Sequence, residues 1–346
     1  MIKQQLKSQT DKRKKVRRTT AVIAGCLALL MLSFIISMNT GYTKLPPPDT
    51  LRTLLGGGTA RENLILFDFR LPRIVISILV GAGLALSGCI IQGVARNALA
   101  DPGLLGIHAG AGLMVILYVL FFGTQSFLSV FTLPFLALFG AGITAVLIYA
   151  LAFKKGEDIA PLRLILTGVA VQAGISSLTT VLVVKLADNQ FDFVAAWQAG
   201  SIWAGSWKFV LALLPWLLVL FPYVLSKARV MDVLNLGDDV ARSLGAAVEC
   251  ERRRLLAAAV ALAAACVAVS GSISFVGLIA PHLARRLSGP EHRILLPVCA
   301  LTGAVLVSAA DTAGRALMQP SGIPTGIMVA IIGAPYFLYL LMKSRN

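Results

Sequence analysis

Few residues of this chain have types and spacings that could do chemistry. Arg70 and Arg73 flank Pro72 in Phe67-Asp-Phe-Arg-Leu-Pro-Arg73, directly before an uncharged apolar run from Ile74 to Ile91. Arg315 follows Asp311 at a spacing of four. A guanidinium is a rigid planar fork that matches a carboxylate, so these three arginines can hold acidic groups. They can equally anchor helix ends at headgroup level, and Arg315 can simply pair with Asp311 at i, i+4. Pro72 suits a helix start, where its missing N–H is harmless.

The remaining candidates point away from chemistry on this chain. His108 and His282 are the titratable groups set well inside apolar runs. Packing or ordinary hydrogen bonding accounts for each better than a proton relay does. No Asp or Glu is expected within an apolar run, Asp311 standing at an outer boundary, so the membrane carboxylate of a proton-coupled carrier is missing. Cys26, Cys89, Cys250, Cys266 and Cys299 form no CxxC pair and read as small hydrophobes rather than disulfides or metal ligands. GxxxxGK[ST], HExxH and GxSxG are absent from the sequence, which removes the P-loop, zinc-peptidase and hydrolase classes. No catalytic residue, metal ligand or cofactor is expected, and uphill transport would need energy from another chain.

These residues are positioned by a membrane-embedded framework. Of 346 residues, 57% are hydrophobic and 14% charged, and the mean hydropathy is +0.83. Soluble domains carry about 25% charged residues, so this composition is that of an integral membrane protein. A spanning helix needs about 20 apolar residues. Apolar runs at 19–38, 72–95, 104–122, 132–153, 163–186, 208–226, 254–271, 273–289, 293–311 and 323–342 predict ten transmembrane helices in one domain, residues 19–343. A basic tail, residues 1–18, precedes them with Lys12 to Arg18 reading KRKKVRR. The first run is long enough to span and no small-residue cleavage site follows it, which favours an uncleaved helix.

The net charge of +15 reflects orientation rather than nucleic-acid binding. With ten spans both termini share one side. That side receives the basic tail, Lys154-Lys155, Arg252-Arg253-Arg254, Arg285-Arg286, Lys343 and Arg345. Positive-inside sorting makes it cytoplasmic. Arg70, Arg73 and Arg315 then lie outside, against the sorting bias.

The cytoplasmic connection 227–254 contains Leu234-Asn-Leu-Gly-Asp-Asp-Val-Ala-Arg-Ser-Leu-Gly245. Asp238 or Asp239 can cap a helix there, Val240, Ala241 and Leu244 are expected on one face, and Gly245 is a natural stop. Such a helix can lie on the lipid interface or fill a partner's groove.

Taken in order, several stretches resemble one family. They are Arg70-Leu-Pro-Arg73, Gly81-Ala-Gly-Leu-Ala-Leu-Ser-Gly88, Gln92 and Asn97-Ala-Leu-Ala-Asp-Pro-Gly-Leu-Leu-Gly106. Then come Leu236-Gly-Asp-Asp-Val-Ala-Arg-Ser-Leu-Gly245, Gly271-Ser-Ile-Ser-Phe-Val-Gly-Leu-Ile-Ala-Pro-His282, Ile323-Pro-Thr-Gly326 and Gly333-Ala-Pro335. From residue 60 to 342 the chain resembles the FecCD family of ABC-importer permeases, which serve iron–siderophore, haem and vitamin B12 uptake. Asn97-Ala-Leu-Ala stands where the family pattern often reads Asn-Pro-Leu-Ala, and the basic tail is outside the pattern.

The resemblance implies an all-α type II ABC-importer fold like that of the vitamin B12 permease, with both termini cytoplasmic, in a bacterial cytoplasmic membrane. It implies a second permease (identical or similar), an ATP-binding subunit below and an extracytoplasmic substrate-binding protein above. By motif match, Arg70, Arg73 and Arg315 would dock the binding protein's glutamates. Leu236, Gly237, Asp238, Ala241, Leu244 and Gly245 would contact the ATPase. Pro281-His282 is expected to be structural. The cargo implied is a ferric siderophore, with haem or cobalamin as the alternative and a secondary carrier as the rival class.

Overall fold

The computed structural model describes residues 2–41, 43, 45–123, 129–153, 161–202, 205–319 and 322–344, all in helices and their connections. In chain order the helices are α1 (Ile2–Asn39), α2 (Pro47–Leu54), α3 (Ala60–Asn63), α4 (Leu71–Ala95), α5 (Ile107–Phe122), α6 (Ser129–Ala152), α7 (Pro161–Val183) and α8 (Asp188–Gln198). They continue as α9 (Trp207–Ser226), α10 (Ala228–Leu234), α11 (Asp238–Ser243), α12 (Val248–Ser270), α13 (Val276–Ser288), α14 (His292–Leu317) and α15 (Thr325–Ser344). Lys154-Lys155 and Arg345 lie outside the described residues.

Each of the ten apolar runs falls on one helix. Among the described residues, seven are long and apolar enough to cross a membrane, and α5 and α15 are shorter apolar helices. α13, with 13 residues, reaches about 20 Å at 1.5 Å per residue, less than the roughly 30 Å hydrocarbon core. The turn before it is wider than the expected Gly271-Ser272, running to Phe275 in the left-handed region. The helix of the basic tail is continuous with the first span in α1.

The central element is α4. In its apolar stretch 83% of the residues are buried, against 17% for α1 and 11% for α7. Its most extensive partners are α14 and α12. Small residues make this possible: a Cβ on Gly81 would lie 2.3 Å from the Gly303 carbonyl oxygen, so the α4 and α14 backbones touch there. Ser33 and Ser308 share a buried 2.9 Å hydrogen bond that ties α1 to α14. α7 buries so little that its apolar side chains are left for lipid or another chain.

Pro72 is in the first turn of α4, as a helix-start proline would be, but the chain before it is already helical. Helical chain runs upstream from Ala60, with a π-helical segment over Leu64–Arg70. A proline has no N–H and its ring clashes with the carbonyl four residues earlier, which widens the preceding turn. The Leu71 N–H reaches back five residues to the Leu66 carbonyl. Continuing that pattern, the Phe67 carbonyl would need an N–H from residue 72. The Trp207 indole N–H takes that place at 2.8 Å and joins α9 to the mouth of α4.

Candidate functional site: two polar clusters at opposite ends of α4 and α14

The first cluster surrounds Asp311. It was expected at a helix boundary but sits within α14, 1% exposed, because that helix continues to Leu317. A carboxylate is thus present inside an apolar span after all, and it is fully engaged. Arg73 donates through Nη2 at 2.8 Å and Nε at 3.0 Å to Oδ1. Arg315 donates through Nε at 3.0 Å to Oδ2, and the Thr325 hydroxyl donates at 2.9 Å to Oδ1. One buried charge is therefore neutralised and hydrogen-bonded by α4, α14 and α15 together, the condition under which a buried carboxylate is tolerated.

Arg315 also donates to the Thr40 carbonyl at 2.9 Å and to the Ser37 hydroxyl. Arg70 is buried and donates to the Met38 and Thr43 carbonyls. Of the three arginines expected to face outward, Arg70 and Arg315 therefore close the end of α1 onto α14 and α4. Arg73 keeps the most exposure, 26% of its side chain.

The second cluster is at the other ends of α4 and α14. α11 starts without a side-chain cap at Gly237. Asp238 accepts from Arg252 Nη2 at 2.7 Å and from Arg96 Nη2, and Arg96 Nη2 also donates to the Leu234 carbonyl at 2.7 Å. Desolvation acts to raise the Asp238 carboxyl, but the bonds and charges of Arg252 and Arg96 outweigh it and hold it below the usual carboxylate range. Arg96 terminates α4 with φ +48°, in the left-handed region uncommon for a residue with a Cβ. On α10, Asp232 accepts from both the backbone N–H and the Nδ1 of His292, at 3.0 and 2.6 Å. It thereby caps α14 from another helix.

Asp238 faces inward to these arginines rather than capping α11. Ala241 is fully buried, while Leu236, Val240 and Leu244 are 60%, 46% and 63% exposed. The single face expected for Val240, Ala241 and Leu244 is thus split. Adjacent helical residues lie about 100° apart, and Ala241 takes the inward direction. Spacing by four puts Val240 and Leu244 on one outward side of α11, and Leu236, just before the helix, is also exposed. Gly237 and Gly245 flank α11 with φ +111° and +82°, where glycine is favoured.

The sequence model of the FecCD transport family matches residues 29–343. The chain belongs to that family. It is 49% identical to the iron(3+)-hydroxamate import system permease protein FhuG of Bacillus subtilis, over 96% of this chain and 99% of that one. It is 37% identical to the hemin transport system permease protein HmuU of Yersinia pestis, covering 92% of this chain and 95% of that one. A solved structure described as an inward-facing ABC transporter of metal-chelate type superposes with a TM-score of 0.83 at 30% identity, over 94% of this chain and 99% of that one. The all-α type II importer fold is therefore established for this FecCD chain.

Against that family fold, three polar residues were not foreseen. Arg96 ends α4 and Asp232 lies on the short α10, and their partners are distant in sequence. His292 stands one residue before its apolar run and is fully buried. The histidines that were singled out are only half engaged among the described residues. His108 Nδ1 meets the Ser272 hydroxyl at 2.9 Å while its Nε2 is buried without a partner. His282 packs edge-to-face on Tyr336, with ring centres 5.8 Å apart.

Proposed function

We propose that this chain is the permease subunit of an ABC importer that carries ferric siderophores across a bacterial cytoplasmic membrane. The observation that carries the reading is the pair of clusters at opposite ends of α4 and α14, in a chain that is 49% identical over its length to a hydroxamate-iron permease. An arginine cluster suits acidic side chains of a docked binding protein. In this reading Arg73 makes the contact, and Arg70 and Arg315 hold the surface around it. At the other end the apolar stripe Leu236, Val240 and Leu244 enters a groove on an ATP-hydrolysing subunit. The weakly buried α7 faces a second permease, and the cargo passes between the two chains. Haem is the alternative cargo, since the hemin permease of Yersinia pestis is also similar.

The deciding experiment isolates the chain from native membranes in mild detergent and identifies its companions by mass spectrometry. It then measures uptake of iron-55 loaded hydroxamate siderophore. An ATPase, a binding protein and ATP-dependent uptake are expected. A chain recovered alone, whose uptake survives ATP depletion but not an uncoupler, would make it a secondary carrier. ATP-dependent uptake of haem in place of the siderophore would change the cargo.

A further inference from the structure

The two clusters occupy the opposite ends of the same two helices. At one end Arg73 of α4 and Arg315 of α14 meet on Asp311. At the other, Arg96 ends α4 and holds both Leu234 and Asp238, while His292 begins α14 and holds Asp232. Asp232, Leu234 and Asp238 belong to the α10–α11 segment that carries the outward stripe. Over their full lengths α4 has 25 residues and α14 has 26, about 37–39 Å at 1.5 Å per residue, enough to span the bilayer.

The pair is built to move as one piece. The Gly81 and Gly303 backbones are in direct contact, with no side chain between the two helices there. Cys299 Sγ on α14 also donates to the Ala85 carbonyl of α4 at 3.3 Å. Packed interfaces of this kind shift between discrete positions rather than deform continuously. Arg96 further holds a backbone conformation that costs free energy for a non-glycine residue. Glycine would hold that conformation without strain. What only arginine supplies here is the guanidinium that reaches the coupling segment.

We infer that α4 and α14 form a two-helix strut linking the binding-protein face to the ATPase face, with Arg96, Asp238, Asp232 and His292 as positioning residues that clamp the α10–α11 segment to its inner end. The inference rests on the importer reading above. Docking at Arg73 displaces the strut, and the clamps carry that displacement to the stripe that meets the ATPase.

The test uses the complete transporter, with its ATPase, in proteoliposomes. The readout is the ratio of ATP hydrolysis with the loaded binding protein to hydrolysis without it. Arg96→Gly removes the guanidinium while suiting the left-handed backbone, so misfolding is not expected, and Arg96→Lys keeps the charge. The glycine variant should lose about fivefold or more of the ratio, the low end of the coupling between linked sites, and lysine should restore part of it. A ratio in Arg96→Gly equal to that of the unaltered chain would overturn the strut. So would loss of the ATPase itself from Arg96→Gly, which would make Arg96 part of the ATPase-binding surface rather than of the transmission. If the unaltered chain recruits no ATPase or shows no stimulation, it is the importer reading that fails.

Discussion

Arg73 and Asp311 are 238 positions apart in the chain and lie 2.8 Å apart in the fold, with the carboxylate buried and the guanidinium partly exposed. The same carboxylate holds Arg315 and Thr325. Removing it leaves Arg73 and Arg315 without their shared carboxylate. Asp311→Ala is expected to destabilise the chain by about 3–5 kcal/mol, the cost of breaking a buried pair from one side. Asp311→Asn, which keeps acceptor capacity, should cost less. Thermal unfolding in detergent measures both, and an unchanged midpoint in Asp311→Ala would mean that the carboxylate does not hold these helices together.

The Trp207–Phe67 bond compensates for a proline. Trp207→Phe leaves the Phe67 carbonyl without its donor, at an expected cost of about 1–3 kcal/mol. Pro72→Ala returns an N–H to position 72. In that background Trp207→Phe should cost less, with an interaction energy of at least about 0.5 kcal/mol in a double-mutant cycle. Strict additivity would sink this account of the π-helical segment.

The outward stripe and the inward alanine should respond differently. Leu236→Ser with Leu244→Ser is expected to abolish recovery of the ATPase while leaving the thermal midpoint near that of the unaltered chain, since both leucines are exposed. Ala241→Val should do the reverse, overpacking a buried site at about 1–3 kcal/mol. Quantitative co-purification and thermal unfolding of the same samples decide it. Loss of ATPase binding from Ala241→Val at full stability would show that the faces have been assigned wrongly.

The Asp238 clamp has a defined pH dependence. Its carboxyl is held below the ordinary value of about 3.9. Its stabilising contribution is therefore fully present above that ordinary value and is lost as pH falls through the lowered one. Hydrogen exchange across residues 234–245, corrected for intrinsic rates, should stay slow from pH 7 to pH 5 and rise below pH 4. A rise beginning near pH 6 would point to a different titrating group.

Family and helix positions were legible because each depends on local or cumulative signals. Apolar run length locates helices against a fixed bilayer thickness. The motifs from Arg70 to Pro335 preserve their order along the chain. Gly245 was legible as a stop because its backbone requirement is local. The direction of α11 was harder to read. It is a single turn and a half with apolar residues at 240, 241 and 244, and any two of the three can share a face. Whether Ala241 or its neighbours turn inward depends on the helices beneath, which lie elsewhere in the sequence.

By itself, then, the sequence determined a FecCD permease with helices near the expected places and charged groups at their ends, since hydropathy and charge act residue by residue. What those charges do was decided by tertiary structure. Asp311 looked like a boundary residue until α14 continued past it, and Arg70 looked like an outward anchor until the end of α1 offered it two carbonyls. Arg96, Asp232 and His292 drew no notice until folding brought the ends of α4 and α14 against the α10–α11 segment. Electrostatic and hydrogen-bond partners are chosen by distance in space, and in a helical bundle that distance bears little relation to separation along the chain.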